Sequence, residues 1–231
     1  MLNTLHEALW LLANLDNQVV AIVWLSFKVT LATIVFSSLI GLPLGALVAV
    51  ASFPGRGAVI VFFNGMMGLP SVVAGVIVYL FLSRSGPFGD WGLLYSPVAM
   101  TIAQTTLIVP LMAALTRQVI EDAWREYANE FRSMHFSLWQ SITTLLYDCR
   151  FSLVVTVLAG IGRSLSEVGA VMIVGGNIEG FTRVMTTAIA LETAKGDLPL
   201  SLALGMVLLS VVLLINTGAY LVRRWAMRQY G

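Results

Sequence analysis

Five long apolar stretches alternate with shorter polar segments along most of the chain. About 20 apolar residues, at 1.5 Å per residue, cross the roughly 30 Å hydrocarbon core of a bilayer. The pattern therefore predicts an all-α integral membrane protein with a bundle of about five transmembrane helices. The predicted spans are Val19–Ala51, Ala58–Leu82, Leu93–Leu115, Phe151–Val174 and Leu198–Val222.

The first stretch is too long for one upright crossing and too short for two. Gly41, Pro43 and Gly45 lie in its second half, so we expect one kinked or projecting helix. Lys28 lies within the same stretch, and its long side chain can reach the nearer membrane interface.

Composition supports the membrane assignment. The chain is 58% hydrophobic and 11% charged, whereas soluble domains are typically about 25% charged. A net charge of +1 gives no electrostatic basis for nucleic acid binding. Cys149 is the single cysteine and no His or Cys cluster accompanies it, so neither an internal disulfide nor a metal site is expected. The length of 231 residues predicts one domain, residues 1–231.

The distribution of basic residues predicts the orientation, because cytoplasmic loops carry an excess of Lys and Arg. With segment 116–150 in the cytoplasm, the N-terminus lies outside and the C-terminus inside. Eight arginines then lie on the cytoplasmic side: Arg56, Arg117, Arg125, Arg132, Arg150, Arg223, Arg224 and Arg228. Three basic residues lie on the other side: Arg84, Arg183 and Lys195.

The polar segment 116–150 interrupts the apolar pattern after the third span. From Glu121 to Trp139 it predicts a short helix, a turn and a second short helix, with one apolar face. That face contains Ala123, Tyr127, Phe131 and Met134. The segment is either a surface loop with its apolar stripe on the membrane or a helix that docks onto a soluble partner.

The fourth span contains two ionisable residues, Arg163 and Glu167, each costly in a membrane helix by about 2.5 to 3.5 kcal/mol. Their i, i+4 spacing places them on one helix face, where they can pair. One interpretation is an internal ion pair that fixes this helix against its neighbours. The other is an anion pathway, in which Arg163 and the hydroxyls of Ser164 and Ser166 contact the anion and Glu167 holds the arginine.

Proline and glycine punctuate the second and third spans at Gly65, Gly68, Pro70, Gly75 and Pro110. Proline frees a carbonyl and bends a membrane helix, and glycine allows backbones to approach closely. These positions are either packing kinks or points of flexure in a bundle that opens alternately to each side.

Two motifs resemble a known family. The polar segment resembles the cytoplasmic signature of ATP-binding-cassette importer permeases, which Glu126, Ala128 and Ile142 match, whereas Tyr127, Arg132 and Leu145 depart from it. The run from Arg163 to Gly169 resembles that of sulfate, molybdate and tungstate importer permeases, as does the run from Gly68 to Gly75. From Val171 to Thr193 the chain is most similar to the tungstate branch.

The resemblance implies a type I importer permease in the prokaryotic cytoplasmic membrane, translocating tungstate or, as the alternative, molybdate or sulfate. Its implied partners are two cytoplasmic ATP-binding subunits, an external substrate-binding protein, a second copy of the chain and the bilayer. Implied coupling residues are Glu126, Ala128, Glu130 and Arg132. Implied pathway residues are Arg163, Ser164, Ser166, Glu167, Gly176 and Asn177. The sequence itself predicts a short amphipathic helix over Thr182–Ala194, ended by Gly196. This segment is either an ordinary connecting loop or, as the resemblance implies, an external element that contacts the binding protein, with Thr182 near the dianion.

The chain contains no Walker-type glycine-rich loop, so we expect a partner to hydrolyse the ATP and this chain to bind no cofactor. An intramembrane enzyme would need a nucleophile and a base at matched depth, which Arg163 and Glu167 do not supply. A passive channel or a structural membrane subunit would explain the spans and leave the Glu126 segment without a role.

Overall fold

The computed structural model describes the backbone of residues 2–14 and 16–230, and their side chains except at positions 2, 3, 223 and 225–230. The described residues are helical and contain no strand. The helices are α1 Leu2–Ala13, α2 Asn17–Val50, α3 Arg56–Met67, α4 Ser71–Leu82, α5 Pro97–Ser133, α6 Leu138–Asp148, α7 Arg150–Leu165, α8 Gly169–Gly175, α9 Met185–Lys195 and α10 Leu198–Tyr230, with a 3-10 turn at Gly89–Trp91. The side chains of Arg223 and Arg228 lie outside this description.

Three of the described helices are long and apolar enough to cross a membrane: Asn17–Val50, Pro97–Ser133 and Leu198–Val222. Two bent pairs, α3 with α4 and α6 with α7, raise the number to five if each pair forms one span. The chain is therefore a multi-pass, all-α membrane protein, in agreement with the apolar pattern.

Helix α2 is a single helix of 34 residues that includes Pro43, as its length and composition predict. At 1.5 Å per residue it is about 51 Å long, which exceeds the thickness of the hydrocarbon core. Its glycines allow close packing against α5, because a Cβ added at Gly41 would lie 2.8 Å from the Cβ of Met112. A Cβ at Gly45 would meet the carbonyl oxygen of Ala113.

The second predicted span is wrong as a single helix. Helix α3 ends at Met67 and α4 begins at Ser71. Gly68 follows the last residue of α3, and Pro70 precedes α4 with φ −59° and ψ 128°. Proline lacks an N–H and disfavours helical backbone in the residue before it, so the helix cannot continue through this point.

One helix continues beyond the third predicted span. Helix α5 continues without interruption past Leu115 to Ser133, so the first short helix predicted in the polar segment is the end of α5. The predicted turn and second helix are present as residues 134–137 and α6. Polar residues did not end the helix because they are good helix formers once one face is packed.

The chain divides into two compact units. One contains Met1–Thr33, Pro70–Gln104 and Gly162–Leu214, and the other contains Ile34–Leu69, Thr105–Ile161 and Ile215–Gly231. The first unit contains α4, α8 and α9, and the second contains α3 and α6. The candidate pathway residues lie in the first unit and the candidate coupling residues in the second.

Candidate functional site

The fourth predicted span is broken at residues 166–168, between α7 and α8. The break separates Arg163 from Glu167, so the expected i, i+4 ion pair does not form. Instead the Oε1 of Glu167 accepts a hydrogen bond from the backbone N–H of Ala170 at 3.2 Å. Arg163 is exposed in the last turn of α7, and no carboxylate of the described residues lies within 4.0 Å of it.

A buried amide connects three helices beside this break. The Oε1 of Gln104 accepts hydrogen bonds from the hydroxyls of Thr33 at 2.9 Å and Ser164 at 3.0 Å. Its Nε2 donates to the carbonyl of Ser164 at 3.1 Å. Because all three residues are buried, each bond satisfies a group that water cannot reach. These bonds fix the side chain and the carbonyl of Ser164 in place.

A small polar cleft lies against this network. Its hydroxyl and carboxyl side chains are Ser26, Thr30, Ser164, Glu167 and Thr186. The cleft encloses about 10 Å³, which is close to the minimum for one water molecule and too small for a tetrahedral dianion. Two further bonds close it: the hydroxyl of Thr186 donates to the carbonyl of Glu167 at 2.7 Å, and Ser26 accepts from the N–H of Met185 at 2.8 Å.

Glycines bring α4 and α8 into backbone contact on the other side of the break. A Cβ added at Gly75 would lie 2.7 Å from the Cα of Ala170, and one added at Gly169 would lie 2.8 Å from the hydroxyl oxygen of Ser71. The Gly68–Gly75 run and the Arg163–Gly169 run, identified separately in the sequence, thus meet at this contact. Gly75 is a packing residue rather than a point of flexure in this conformation.

The connection from α8 to α9 contains the other two expected pathway residues. Gly176 is exposed with φ +70°, and Asn177 has φ +50°, a conformation that Asn tolerates better than most residues. The Nδ2 of Asn177 donates to the carbonyl of Thr187 at 3.2 Å. Thr182 is fully buried, donating to the carbonyl of Gly175 and accepting from the N–H of Ile178. The hydroxyl of Thr182 therefore closes the loop internally, and its place near the dianion stays a prediction.

The short helix predicted for Thr182–Ala194 is present as α9, and Gly196 follows its last residue with φ +87°. It carries a buried charge cluster. Arg183 lies 3.4 Å from the carboxylate of Glu192 and 3.5 Å from that of Glu179, and Lys195 lies 3.0 Å from Glu192. Burial of Arg183 and Glu192 is tolerated because each is paired.

The expected coupling residues lie in the last turns of α5. Glu126, Glu130 and Arg132 are exposed and Ala128 is half-buried. None of these three charged side chains forms an ion pair with another described residue. Glu126 and Glu130 are one helical turn apart and share a face, so they present two carboxylates to whatever approaches the end of α5.

The turn that follows α5 is well ordered by local contacts. The residue with positive φ is His135, at +53°, whereas Arg132 is still helical. The departure of Arg132 from the family glycine therefore causes no backbone strain at that position. Phe131 stacks on Phe136 with ring centroids 5.1 Å apart, and Ser137 begins α6 with a capping box to Gln140.

A carboxylate in the second half of α5 connects helices α3 and α5. Glu121 lies within salt-bridge distance of three arginines: Arg56 at 3.4 Å, Arg125 at 3.2 Å and the adjacent Arg117. Arg56 also donates to the carbonyls of Val48 and Ala49 at the end of α2. One carboxylate thus holds the end of α2, the start of α3 and the α5 extension together.

The chain is similar along most of its length to curated uptake permeases. It is 37% identical over 215 residues to the tungstate uptake system permease protein TupB of Peptoclostridium acidaminophilum, covering 93% of this chain and 94% of that protein. The chain belongs to the tungstate uptake permease family. It is 34% identical over 210 residues to TupB of Campylobacter jejuni, covering 91% of this chain and 88% of that protein. No family model matches the chain.

A more distant relative widens the family to other oxyanions. The sulfate transport system permease protein CysT of Escherichia coli is 28% identical over 211 residues, covering 87% of this chain and 75% of that protein. The expectation of a permease within the sulfate, molybdate and tungstate group is thereby confirmed in its tungstate and sulfate branches.

The sequence analysis missed two residues that hold helices together, Gln104 and Glu121. Gln104 could have been identified from the sequence, because it is a polar side chain within an otherwise apolar span and such groups need a partner in the membrane. Glu121 carried no such signal, because a glutamate in a polar segment is unremarkable until its three arginine neighbours are known. Both lie on α5, which was expected to end before Glu121.

Proposed function

We propose that this chain is the membrane-spanning subunit of an ATP-driven importer that carries tungstate across the cytoplasmic membrane of a prokaryote. The observation that supports it is similarity to two tungstate uptake permeases over about nine-tenths of the chain. The chain works as a homodimer that receives the dianion from an external binding protein. Two cytoplasmic subunits supply ATP hydrolysis, and the chain binds no cofactor itself.

Arg163 contacts the translocated anion. A charged residue in a membrane span faces a water-filled cavity, an ion-pair partner or another subunit. Its expected partner, Glu167, instead binds the N–H of Ala170, so the guanidinium of Arg163 is available to the pathway. Its planar fork of N–H donors suits a tetrahedral oxyanion. Ser166 is exposed beside it and adds a hydroxyl.

Ser164 and Glu167 position the pathway rather than bind the ion. Both are buried, and their polar atoms are used by Gln104 and Ala170. They fix the end of α7 and the start of α8, which sets where Arg163 and Ser166 project. Gly176 and Asn177 line the external mouth, where the binding protein delivers the dianion.

The end of α5 couples transport to ATP hydrolysis. Glu126 and Glu130, with Ala128 and Arg132, dock onto the ATP-binding subunit, and the Glu121 cluster transmits the resulting displacement to α2 and α3. Exposed apolar side chains around the turn, Met134, Leu138 and Trp139, provide the desolvated part of that interface. This arrangement requires the N-terminus outside, the C-terminus inside and segment 116–150 in the cytoplasm.

The test is elemental analysis of cells that lack this chain and of the same cells complemented with it. Each is grown at trace tungstate and, separately, at trace molybdate. We expect cellular tungsten to fall without the chain while molybdenum is maintained. Equal loss of both would indicate a general oxyanion importer, and unchanged tungsten would refute the proposed cargo.

A further inference from the structure

A cavity of about 470 Å³ lies between the first three turns of α2 and the loop that joins α8 to α9. All of its lining belongs to the first compact unit. Most of the wall is apolar, and the polar groups converge from the two sides. The side chains used below are Gln18, Trp24, Lys28, Glu179, Phe181 and Arg183.

The charges around this cavity do not balance. Arg183 is matched by Glu179 and Glu192, and Lys195 is also matched by Glu192. Lys28 has no carboxylate within 4.0 Å among the described residues, and its ammonium lies 5.2 Å from the ring centroid of Trp24. Among the residues that line the cavity, two cations, Lys28 and Arg183, face one carboxylate, Glu179, and Lys28 is the cation without an ion pair. The buried Nε of Arg183 is also without a hydrogen-bond partner in the described structure.

The surroundings of Lys28 favour an amphiphile over a free ion. Trp24, Phe27 and Leu31 are exposed by 61%, 38% and 67%, and their spacing puts them beside Lys28 on α2. Lys28 lies 11 residues from the start of α2, about 16 Å along the helix. A lysine side chain in a membrane helix can extend back toward the polar headgroups while its apolar neighbours contact acyl chains.

We infer that this cavity binds the phosphate headgroup of an anionic phospholipid. Lys28 is the cationic ligand, and an acyl chain lies along Trp24, Phe27 and Leu31. A phospholipid with one net negative charge neutralises the excess on Lys28. This assignment does not depend on the identity of the transported ion.

The test is lipid retention by the full chain, purified in detergent and measured by native mass spectrometry. Palmitoyl-oleoyl phosphatidylglycerol is compared with palmitoyl-oleoyl phosphatidylcholine, which has the same acyl chains and no net charge. We expect preferential retention of phosphatidylglycerol, weakened about fivefold by Lys28→Gln, the equivalent of one basic residue at a membrane surface. Lys28→Arg keeps the charge and should keep the preference, and Arg84→Gln, an exposed arginine outside the cavity, should change nothing.

Two results would overturn the assignment. Equal retention of both lipids, or retention of phosphatidylglycerol by Lys28→Gln as strong as by the wild type, would remove the headgroup site. Binding of inorganic phosphate or tungstate to lipid-free protein, lost in Lys28→Gln and competitive with phosphatidylglycerol, would identify a free oxyanion as the ligand instead.

Discussion

Replacing Gly75 with alanine should force α4 and α8 apart. The new Cβ would lie 2.7 Å from the Cα of Ala170, 3.3 Å from its carbonyl oxygen and 3.2 Å from the Cδ1 of Ile173. The optimal distance between non-bonded carbon atoms is about 3.5 to 4.0 Å, so the two helices must separate by about 1 Å. Two of these three neighbours are backbone atoms, which cannot rotate away as a flexible side chain can.

The expected cost follows from two opposing terms. Overpacking of this kind costs about 1 to 3 kcal/mol, and the gain from replacing a helical glycine is about 0.5 to 1 kcal/mol. The net destabilisation of Gly75→Ala is therefore about 0 to 2.5 kcal/mol. Gly65 is the matched control, because a Cβ there meets nothing within 4 Å and only the gain applies. The two variants should change stability in opposite directions.

Thermal unfolding of both purified variants in the same detergent, followed by tryptophan fluorescence, measures this difference. We expect a lower unfolding temperature for Gly75→Ala and an equal or higher one for Gly65→Ala, relative to the wild type. A Gly75→Ala protein as stable as Gly65→Ala would refute the close approach of α4 and α8. Loss of uptake in Gly65→Ala without loss of stability would instead identify that glycine as a point of flexure.

Three further substitutions test the pathway and the coupling segment. Arg163→Ala should reduce tungstate uptake at least tenfold and Arg163→Lys less, while Arg84→Ala leaves uptake unchanged; equal loss in both Arg163 variants would indicate a structural role that needs the guanidinium fork. Glu126→Ala should allow ATP hydrolysis without tungstate uptake in proteoliposomes, whereas the exposed Asp122→Ala should not, and normal uptake by Glu126→Ala would exclude that residue from coupling. Gln104→Leu should destabilise the chain by about 2 kcal/mol, because it removes three buried hydrogen bonds at about 0.6 kcal/mol each, and unaltered thermal unfolding would contradict the network.

The membrane class and the approximate spans were predictable because apolar run length is a direct consequence of bilayer thickness. The breaks in the helices within those apolar runs were less predictable. Pro70 was recognised as a bend, but a proline can kink a helix or end it, and the sequence did not show that α3 stops at Met67. At the second break, residues 166–168 contain no proline, and composition alone favours a continuous helix there.

The candidate site could also be predicted only in part. Residue spacing placed Arg163 and Glu167 on one face, and that inference holds only while the helix between them is intact. Once the backbone turns, Glu167 finds the N–H of Ala170, a partner that no side-chain pattern reveals. The turn after α5 is similar, because the positive φ is at His135, three residues beyond the position the family motif suggested.

The cluster around Glu121 has a practical consequence for building hybrid transporters. Exchanging segment 116–150 between relatives would move Arg117, Glu121 and Arg125 together but leave Arg56 behind on its own scaffold. If the donor segment has no carboxylate at position 121, Arg56 keeps its hydrogen bonds to the carbonyls of α2 but loses its ion-pair partner. A graft intended to redirect this permease to a different ATP-binding subunit therefore has to include the start of α3 as well.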